Sequence, residues 1–370
     1  MDSLTLVSPR YPPYLGGIET HVSELAGRMN DRFRKVSVVT TDPQGGLPSK
    51  QHVKDGFDIY RVKSFAPGEN YHFPWVPNLV KRLKECRSEI LHLHGIQDVP
   101  GPVASMFDDG SATIFTPHFS GQVQSGLGKF FFAGYRPLLN QLIDKVSFVI
   151  CVSRFEARTM SQVLPDSTQK IKVIPNGVDF GLLSKYRWRR PDAGAILYAG
   201  RLERHKNVDK IIRAFQSLQR ADDELSLTVV GRGPMKDELV NLANELGLGS
   251  KVRWIDGVGK EALYSLYSSC SVVVLPSDLE CFGLVAAEAI SLGVPTIVTD
   301  SSALSEFVDK GLAQPVEPPV SPGKLESKLS LVLEDPAAFS PRKDSSGLIL
   351  SWDEVAKKTC DLYESALKGQ

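Results

Sequence analysis

Several features that define particular protein classes are missing from this chain of 370 residues. Lys plus Arg equals Asp plus Glu at 43 each, so no excess of basic charge attracts nucleic acid. The five cysteines never form a Cys-x-x-Cys pair, which favours a reducing, cytoplasmic compartment and argues against a zinc site. No uninterrupted apolar run approaches the roughly 18 residues that span a bilayer, and no basic leader precedes an apolar segment at the start. We therefore expect a cytoplasmic globular protein with no nucleic-acid partner.

The motifs of two large nucleotide-binding classes are also missing. No Gly-x-Gly-x-x-Gly follows the first predicted strand, and no Gly-x-x-x-x-Gly-Lys-Ser/Thr occurs anywhere. Dinucleotide-binding and P-loop interpretations therefore gain no support.

Short β-branched runs alternate with amphipathic segments along most of the chain. This alternation predicts parallel sheets with crossover helices, a doubly wound α/β fold. The runs lie at 4–8, 35–41, 89–95, 113–118, 146–153, 172–177, 195–200, 226–231, 252–257, 271–277 and 295–300.

The length suits two domains of roughly 150–200 residues each. A polar, basic stretch at 177–194 interrupts the alternation, so we place one domain at 1–180 and a second at 181–349. Apolar positions at helical spacing predict a terminal helix within 350–370, and we expect it to return to the first domain.

Glycines and cations occupy several predicted strand ends, where doubly wound sheets bind ligands. Gly16 and Gly17 follow the first strand, and Gly231 ends a later one. Such glycines either let an anion approach the backbone or serve only as turns. Arg201 and Lys206 flank another strand end and form either a diphosphate grip or a solvated surface pair.

The stretch PSDLECFGLVAAEAISLGVP places Glu280 and Glu288 on either side of a predicted helix start. The backbone amides of Phe282, Gly283 and Leu284 would lie at that helix N-terminus, within reach of an anion. Carboxylates accept hydrogen bonds from sugar hydroxyls, often in pairs.

This stretch resembles the E-x7-E signature of retaining, nucleotide-sugar-dependent glycosyltransferases of the GT-B fold, glycosyltransferase family four. Further segments resemble the same family in order and spacing, from about residue 5 to 300. They are GGIETHV 16–22, LHLHG 91–95, TPH 116–118, VSRFE 152–156, VIPNGVD 173–179, GRLERHKN 200–207 and VVGRGP 229–234. The resemblance implies two Rossmann-like domains facing a cleft, with the C-terminal helix packed on the first. One departure is TDSSALSEFV at 299–308, where many relatives have a Gly-Gly turn followed by Pro-Glu.

The resemblance also implies roles for the residues of the second domain. Arg201 and Lys206 would hold the donor diphosphate, Glu288 the nucleotide ribose, and Glu280 the transferred sugar. The base would lie near the loop 256–261. The other positions implied for donor binding are Gly231, Val258, Phe282, Gly283 and Leu284.

In the first domain, the resemblance brings His118 towards the donor sugar and Gly16 and Gly17 towards its phosphate. The implied catalytic residues are therefore Glu280, His118, Arg201 and Lys206. A lone histidine is more often structural, so this role for His118 depends on the resemblance.

The implied reaction moves a hexose-type sugar from a UDP- or GDP-sugar to a hydroxyl acceptor with retention of anomeric configuration. The chain has no Asp-x-Asp motif, so we expect no essential metal and no permanently bound cofactor. The acceptor is a glycan, a lipid-linked saccharide or a small molecule, and the oligomeric state is open. A nucleotide-sugar epimerase on the same fold and a non-catalytic sugar-nucleotide binding protein are the alternatives.

Two segments of the first domain suggest an acceptor or membrane contact. Residues 75–90 form a basic helix with Lys81, Arg82, Lys84 and Arg87, and residues 128–142 place Phe130, Phe131 and Phe132 in a row. Cations and aromatics together suit the inner face of a membrane, where the enzyme would be peripheral. A solvated helix face and a core helix would have the same composition.

Overall fold

The computed structural model describes residues 1–54, 56–66, 72–108, 110–121, 126–191, 194–342 and 347–369. Within the helix that begins at Gly126, the side chains of residues 126–133 lie outside this description. The chain divides into two compact units, Met1–Gly177 with Trp352–Gln370, and Val178–Ser351. We call them unit 1 and unit 2.

Unit 1 is built on a sheet whose strands are β-branched and buried along most of their length. The strand order is β3-β4-β2-β1-β6-β7-β8-β9, and β5 pairs with β4. Strands β3 and β5 are antiparallel to β4, and the other pairs are parallel. The elements are β1 Ser3–Ser8, α1 Gly17–Met29, β2 Lys35–Asp42, β3 Lys50–His52, β4 Asp58–Phe65, β5 Phe73–Pro74, α2 Val76–Glu85, β6 Ile90–His94, α3 Pro100–Met106, β7 Ala112–Thr116, α4 Gly126–Lys145, β8 Phe148–Cys151, α5 Arg154–Val163 and β9 Ile171–Val173.

Unit 2 repeats the pattern with a six-stranded parallel sheet of order β13-β12-β11-β14-β15-β16. Short strands β10 and β17 pair separately. The elements are β10 Gly177–Val178, α6 Phe180–Leu183, β11 Ala195–Ala199, α7 Val208–Ala221, β12 Ser226–Val230, α8 Lys236–Glu245, β13 Val252–Ile255, α9 Lys260–Ser269, β14 Val272–Leu275, α10 Leu284–Ser291, β15 Thr296–Thr299, α11 Ser305–Asp309, β16 Gln314–Val316, α12 Pro322–Glu334 and β17 Leu350–Ser351.

The last helix, α13 Trp352–Lys368, is part of unit 1. It buries Trp352 and Tyr363 against the residues of that unit. The Tyr363 hydroxyl lies 2.6 Å from Nδ1 of His92 on β6, and the Trp352 ring packs edge-on against His21 on α1. A polar contact as well as apolar burial therefore fixes this helix in unit 1.

In both sheets, the loops that carry the predicted site residues follow the carboxyl ends of parallel strands. In parallel sheets all strands point the same way, so the loops after β1, β6 and β7 gather at one edge of unit 1. Those after β11, β12 and β14 gather at one edge of unit 2. The predicted α/β class is thus confirmed.

No helix among the described residues is long and apolar enough to cross a bilayer.

Candidate functional site

In unit 2 several of the predicted donor residues lie on two loops that are joined by hydrogen bonds. We call residues 200–207 and 276–283, together with Glu288, the glutamate corner. Asn207 adopts a left-handed conformation with φ 56°, and its side-chain amide donates to the Pro276 carbonyl at 2.8 Å and to Asp278 at 2.7 Å. The Asp278 amide in turn donates to the His205 carbonyl at 2.9 Å. These bonds fix the two loops against each other.

Two of the predicted catalytic residues meet directly in this corner. The Lys206 ammonium lies 2.6 Å from Oε1 of Glu280, and both side chains are mostly buried. The Glu280 backbone is held as well, because its amide donates to the Ser302 hydroxyl at 3.1 Å. An ammonium has three donors, so Lys206 can keep this bond and still bind an anion.

Arg201 lies at the end of β11 and forms an ion pair with Glu203 at 2.7 Å. Its backbone carbonyl accepts a hydrogen bond from Tyr198 at 2.8 Å. Arg201 therefore projects from a turn that is anchored to the strand itself. Together with Lys206 it gives the corner two cations on one loop.

Helix α10 begins between the two glutamates, as predicted. Gly283 caps it with φ 96°, a left-handed conformation that favours glycine, and a Cβ there would lie 2.7 Å from Leu304. Phe282 is buried edge-on against Phe307. Since Leu284 is the first helical residue, the unpaired amides of this turn are available to an anion.

Glu288 lies on α10 behind this turn, and two tyrosines of α9 hold it. The hydroxyls of Tyr264 and Tyr267 donate to its two carboxylate oxygens, each at 3.2 Å. Burial, with Glu288 nearby, raises the pKa of Tyr267 well above its usual value, so this phenol remains a donor. Each carboxylate oxygen has a second lone pair for a sugar hydroxyl.

Gly231 and Val258 lie on the turns after β12 and β13. Gly231 has φ 152°, and a Cβ there would collide with the Gly200 carbonyl, so the turns after β11 and β12 can touch only because this residue is glycine. Val258 is half-buried in the loop before α9. Both are therefore at the same edge of the sheet as Arg201.

In unit 1 the sequence singled out His118, and the structure places three further histidines around it. We call His21, His92, His94 and His118 the histidine corner. His94 Nδ1 lies 3.3 Å from Nε2 of His118, and the two rings are stacked. His21 Nδ1 lies 2.7 Å from the side-chain Oδ1 of Asn176, and His92 contacts Thr116 as well as Tyr363.

Burial keeps these four rings uncharged. Desolvation lowers the pKa of His21 to about 4 and lowers the pKa of His92, His94 and His118 well below the usual value. His118 is therefore a neutral hydrogen-bonding group near neutral pH.

One nitrogen each of His21, His94 and His118 lies within 4.8 Å of the other two. Within the described ranges this is the one group of three side chains spaced so that a metal ion could bind. Imidazole suits several transition metals, yet the 3.3 Å contact between His94 and His118 is also an ordinary hydrogen-bond distance. The absence of an essential metal remains a prediction.

Glu156 is a residue of this site that the sequence reasoning missed. Its carboxylate accepts the Phe119 amide at 2.5 Å and the Val152 amide at 2.6 Å, and it is fully buried. His118, the residue before Phe119, has φ 52°, a left-handed conformation that is uncommon for residues other than glycine. Glu156 thereby ties the turn after β7 to the turn after β8. Burial raises its pKa to about 8.

Gly16 and Gly17 lie at the start of α1, as predicted. Gly16 is in the extended N-cap position, where a Cβ would collide with the Glu19 carboxylate. Glu19 is buried and pairs with Arg10 at 2.8 Å. The sequence patterns predict no role for Arg10 or Glu19, because this ion pair joins residues that are nine positions apart.

The segments predicted to bind acceptor or membrane are only partly described. The side chains of Phe130, Phe131 and Phe132 lie outside the described residues. Helix α2 is described, and it exposes Lys81 and Lys84. Arg82 pairs with Glu85 at 2.7 Å.

Two family models match this chain. The model for group 1 glycosyl transferases matches residues 188–346, and the model for glycosyltransferase family 4 matches residues 15–182. Together the two matches cover most of unit 1 and most of unit 2.

Individual relatives match over nearly the whole length. Glycogen synthase of Mycobacterium tuberculosis is 27% identical over 406 aligned residues, with 99% of this chain and 95% of the relative covered. Sucrose-phosphate synthase from Thermosynechococcus elongatus superimposes with a TM-score of 0.79 at 19% identity, with 100% of both chains covered. Anabaena HepE in complex with UDP-glucose superimposes with a TM-score of 0.76 at 17% identity, with 98% of this chain and 99% of that chain covered. These structural likenesses confirm the predicted GT-B fold class.

Proposed function

Because the chain belongs to family four of the glycosyltransferases, it is an enzyme that transfers a glycosyl group, and we propose that its donor is a nucleoside-diphosphate hexose. The glutamate corner carries this proposal. Lys206, paired with Glu280 at 2.6 Å, lies in the same pair of joined loops as the amides that open α10. A cation and a helix N-terminus suit a diphosphate, and a carboxylate suits the hydroxyls of the attached sugar.

In the proposed reaction Arg201, Lys206 and the α10 amides stabilise the diphosphate as it leaves the anomeric carbon. The acceptor oxygen forms its bond on the same face, so configuration is retained, and its proton passes to a departing phosphate oxygen. The charge that develops is thus met by fixed donors, the kind of stabilisation that contributes most in many enzymes. No step calls for a metal.

Glu288 is proposed to bind the ribose of the nucleotide. The two tyrosine hydroxyls hold its carboxylate at a fixed angle, which leaves the remaining lone pairs for the two ribose hydroxyls. Uridine and guanosine nucleotides share this ribose, so the contact does not choose between them. HepE was solved with UDP-glucose, which makes this sugar the first donor to test.

His118 is proposed to act on the transferred sugar as a neutral hydrogen-bonding group. Its lowered pKa supports this role, because an uncharged ring donates and accepts without adding positive charge to the sugar. Gly16 and Gly17, at the α1 N-terminus, are proposed to lie near the donor phosphate. The acceptor is a hydroxyl compound, and we propose that unit 1 binds it in the cytoplasm with a peripheral contact to a membrane.

The test is donor hydrolysis across a panel of UDP-, GDP- and ADP-sugars, followed by transfer in the presence of candidate acceptors. We expect slow hydrolysis of one nucleotide class, with the released sugar keeping its anomeric configuration. Glu280→Ala should abolish transfer. Glu238→Ala is the matched control, because Glu238 pairs with Arg204 of the same loop at 3.6 Å but is exposed. If the protein neither binds nor hydrolyses any donor of the panel, the proposal is refuted.

A further inference from the structure

The turn that follows β15 in unit 2 is hydrogen-bonded to the loop that carries Glu280. Strands β14 and β15 are parallel neighbours, so the segments that follow them leave the sheet at the same edge. We call residues 301–304 the serine turn, and they lie in the stretch where the sequence departs from many relatives. The Ser301 hydroxyl donates to the Asp278 carbonyl at 3.1 Å. The serine turn is thus tied to the loop just before Glu280.

The serine turn also holds the backbone of Glu280 at both its amide and its carbonyl. The Glu280 amide donates to the Ser302 hydroxyl at 3.1 Å, and the Ala303 amide donates to the Glu280 carbonyl at 3.3 Å. The carboxylate of the same residue lies 2.6 Å from the Lys206 ammonium. The position of this carboxylate therefore depends on one contact of the side chain and two of the backbone.

Ser302 adopts a backbone conformation that suits glycine better than serine. Its φ is 56°, in the left-handed region that is unfavourable for a residue with a Cβ. Glycine would form this turn without strain, but it has no hydroxyl. Among the residues that the structure describes, the Ser302 hydroxyl is the acceptor of the Glu280 amide. What serine adds at this position is therefore the bond to Glu280, and strain that is kept at such a point indicates a function.

We propose that Ser302 is a positioning residue for glycosyl transfer, and that its hydroxyl holds the Glu280 carboxylate where it meets the transferred sugar. This role rests on the proposed function, in which Glu280 binds that sugar. A misplacement of about 1 Å at a reacting centre can reduce a rate by about 10²-fold. Since Lys206 and Ala303 still hold Glu280 when the hydroxyl is removed, we expect a smaller loss in kcat. KM should change little, because the contacts to the diphosphate and the ribose are kept.

The experiment compares Ser302→Gly with Ser302→Ala in the full chain, with the donor that the parent hydrolyses in the panel of UDP-, GDP- and ADP-sugars. Both variants lose the hydroxyl, so kcat should fall roughly tenfold in both, with KM within about twofold of the parent. Their stabilities should differ. Glycine removes the strain as well as the bond, so its melting temperature should stay close to that of the parent. Alanine keeps the strain and should melt about 2–4 °C lower.

Hydrogen exchange of the segment 278–283, measured by mass spectrometry without donor, reports the bond itself. The Glu280 amide loses its acceptor in both variants, so this segment should exchange faster in both than in the parent. Ser340→Ala is the matched control, because it removes a hydroxyl that donates to the Gly293 carbonyl at 2.7 Å in the same unit. It should leave kcat and the exchange of 278–283 unchanged.

A kcat of Ser302→Gly equal to that of the parent overturns this role while the proposed transferase stands. A kcat that falls only in Ser302→Ala, together with its melting temperature, also overturns it, because the serine turn would then serve only the fold. So does a loss of kcat without faster exchange in 278–283. If the parent hydrolyses no donor of the panel, the proposed transferase is refuted, and the role of Ser302 with it.

Discussion

The glutamate corner of unit 2 and the histidine corner of unit 1 lie at equivalent sheet edges but differ in the charge state of their polar side chains. The first holds charges in pairs, with Lys206 on Glu280 and Arg201 on Glu203. The second holds four imidazoles, three buried and one half-buried, in surroundings that keep them neutral.

The difference follows from what each corner can bind. Ion pairs can exchange partners, so paired cations can accept a diphosphate without any charge having to form. Neutral rings offer directional hydrogen bonds in a place where a net charge would be costly. The glutamate corner therefore suits a charged group of a ligand, and the histidine corner suits neutral polar groups.

The largest difference between the two corners should appear in how the stability of each unit responds to acid. Each histidine of the histidine corner has a lowered pKa, so below about pH 6.5 the unfolded chain takes up protons that the folded chain does not. Stability should therefore fall as pH drops, by about 1.4 kcal/mol per pH unit for each histidine, until the folded pKa is reached. For His21 that limit is about 4.

Glu156 and Asp98, a residue of the loop between β6 and α3, oppose this trend. Burial raises their pKa values to about 8 and about 6, which stabilises the folded state as pH falls. Because four histidines destabilise the folded state on acidification and only two acids stabilise it, the net free energy of unfolding should decrease as pH falls below about 6.5. Urea unfolding at several pH values, with hydrogen exchange resolved by segment, measures it. His21→Gln should make the decline shallower, whereas exposed His52→Gln should not. Unit 2 losing protection before unit 1 would contradict the comparison.

The next effect is the loss of the paired cation in unit 2. Lys206→Ala removes a donor to the leaving diphosphate and leaves Glu280 without its partner, so kcat should fall by roughly 10²- to 10³-fold. Steady-state kinetics with the donor found in the panel measures this. Lys251→Ala is the control, since Lys251 also pairs with a carboxylate of unit 2, that of Asp223 at 3.0 Å. Equal losses in both variants would indicate a general effect of charge.

A smaller effect should come from releasing the turn that carries His118. Glu156→Gln keeps the size of the side chain, but its amide nitrogen cannot accept the second backbone amide, so kcat should fall roughly tenfold at nearly constant KM. Met160→Ala, a buried change on the same helix, tests stability alone. It should lower the melting temperature and leave kcat close to that of the parent. A Glu156→Gln enzyme with full kcat would show that the clamp is only structural.

The smallest effect should come from Tyr267→Phe. It removes one hydroxyl from Glu288, and we expect KM for the donor to rise roughly threefold with kcat unchanged. Tyr198→Phe removes a buried hydroxyl that contacts the Arg201 backbone and serves as the comparison. A change in kcat rather than KM would place Glu288 in the chemical step.

Much of the fold could be predicted because its signals are local. Most parallel strands are short β-branched runs, and the start of α10 is marked by Gly283 between two glutamates. Strands β3, β4, β5 and β16 were not predicted. β3, β5 and β16 are three, two and three residues long, too short to show a period. β4 is eight residues long and parallel to β2, and it was not among the predicted β-branched runs.

The candidate site was predicted only where a motif is continuous in sequence. Glu280 and Glu288 lie on one segment, whereas Glu156 meets Phe119 from 37 residues away and His21 meets Asn176 from 155 residues away. Such partners depend on strand order, which a single sequence does not state. The tyrosines on Glu288 were missed for the same reason.

Helix α13 has a consequence for how the protein is made. The ribosome releases β1 to β9 first, then all of unit 2, and only afterwards the helix whose Tyr363 and Trp352 reach His92 and His21. Unit 1 must therefore wait, with part of its interior open, until the whole of unit 2 has been synthesised. A chain truncated before Trp352 would leave exposed to solvent the surface of unit 1 that Trp352 and Tyr363 cover.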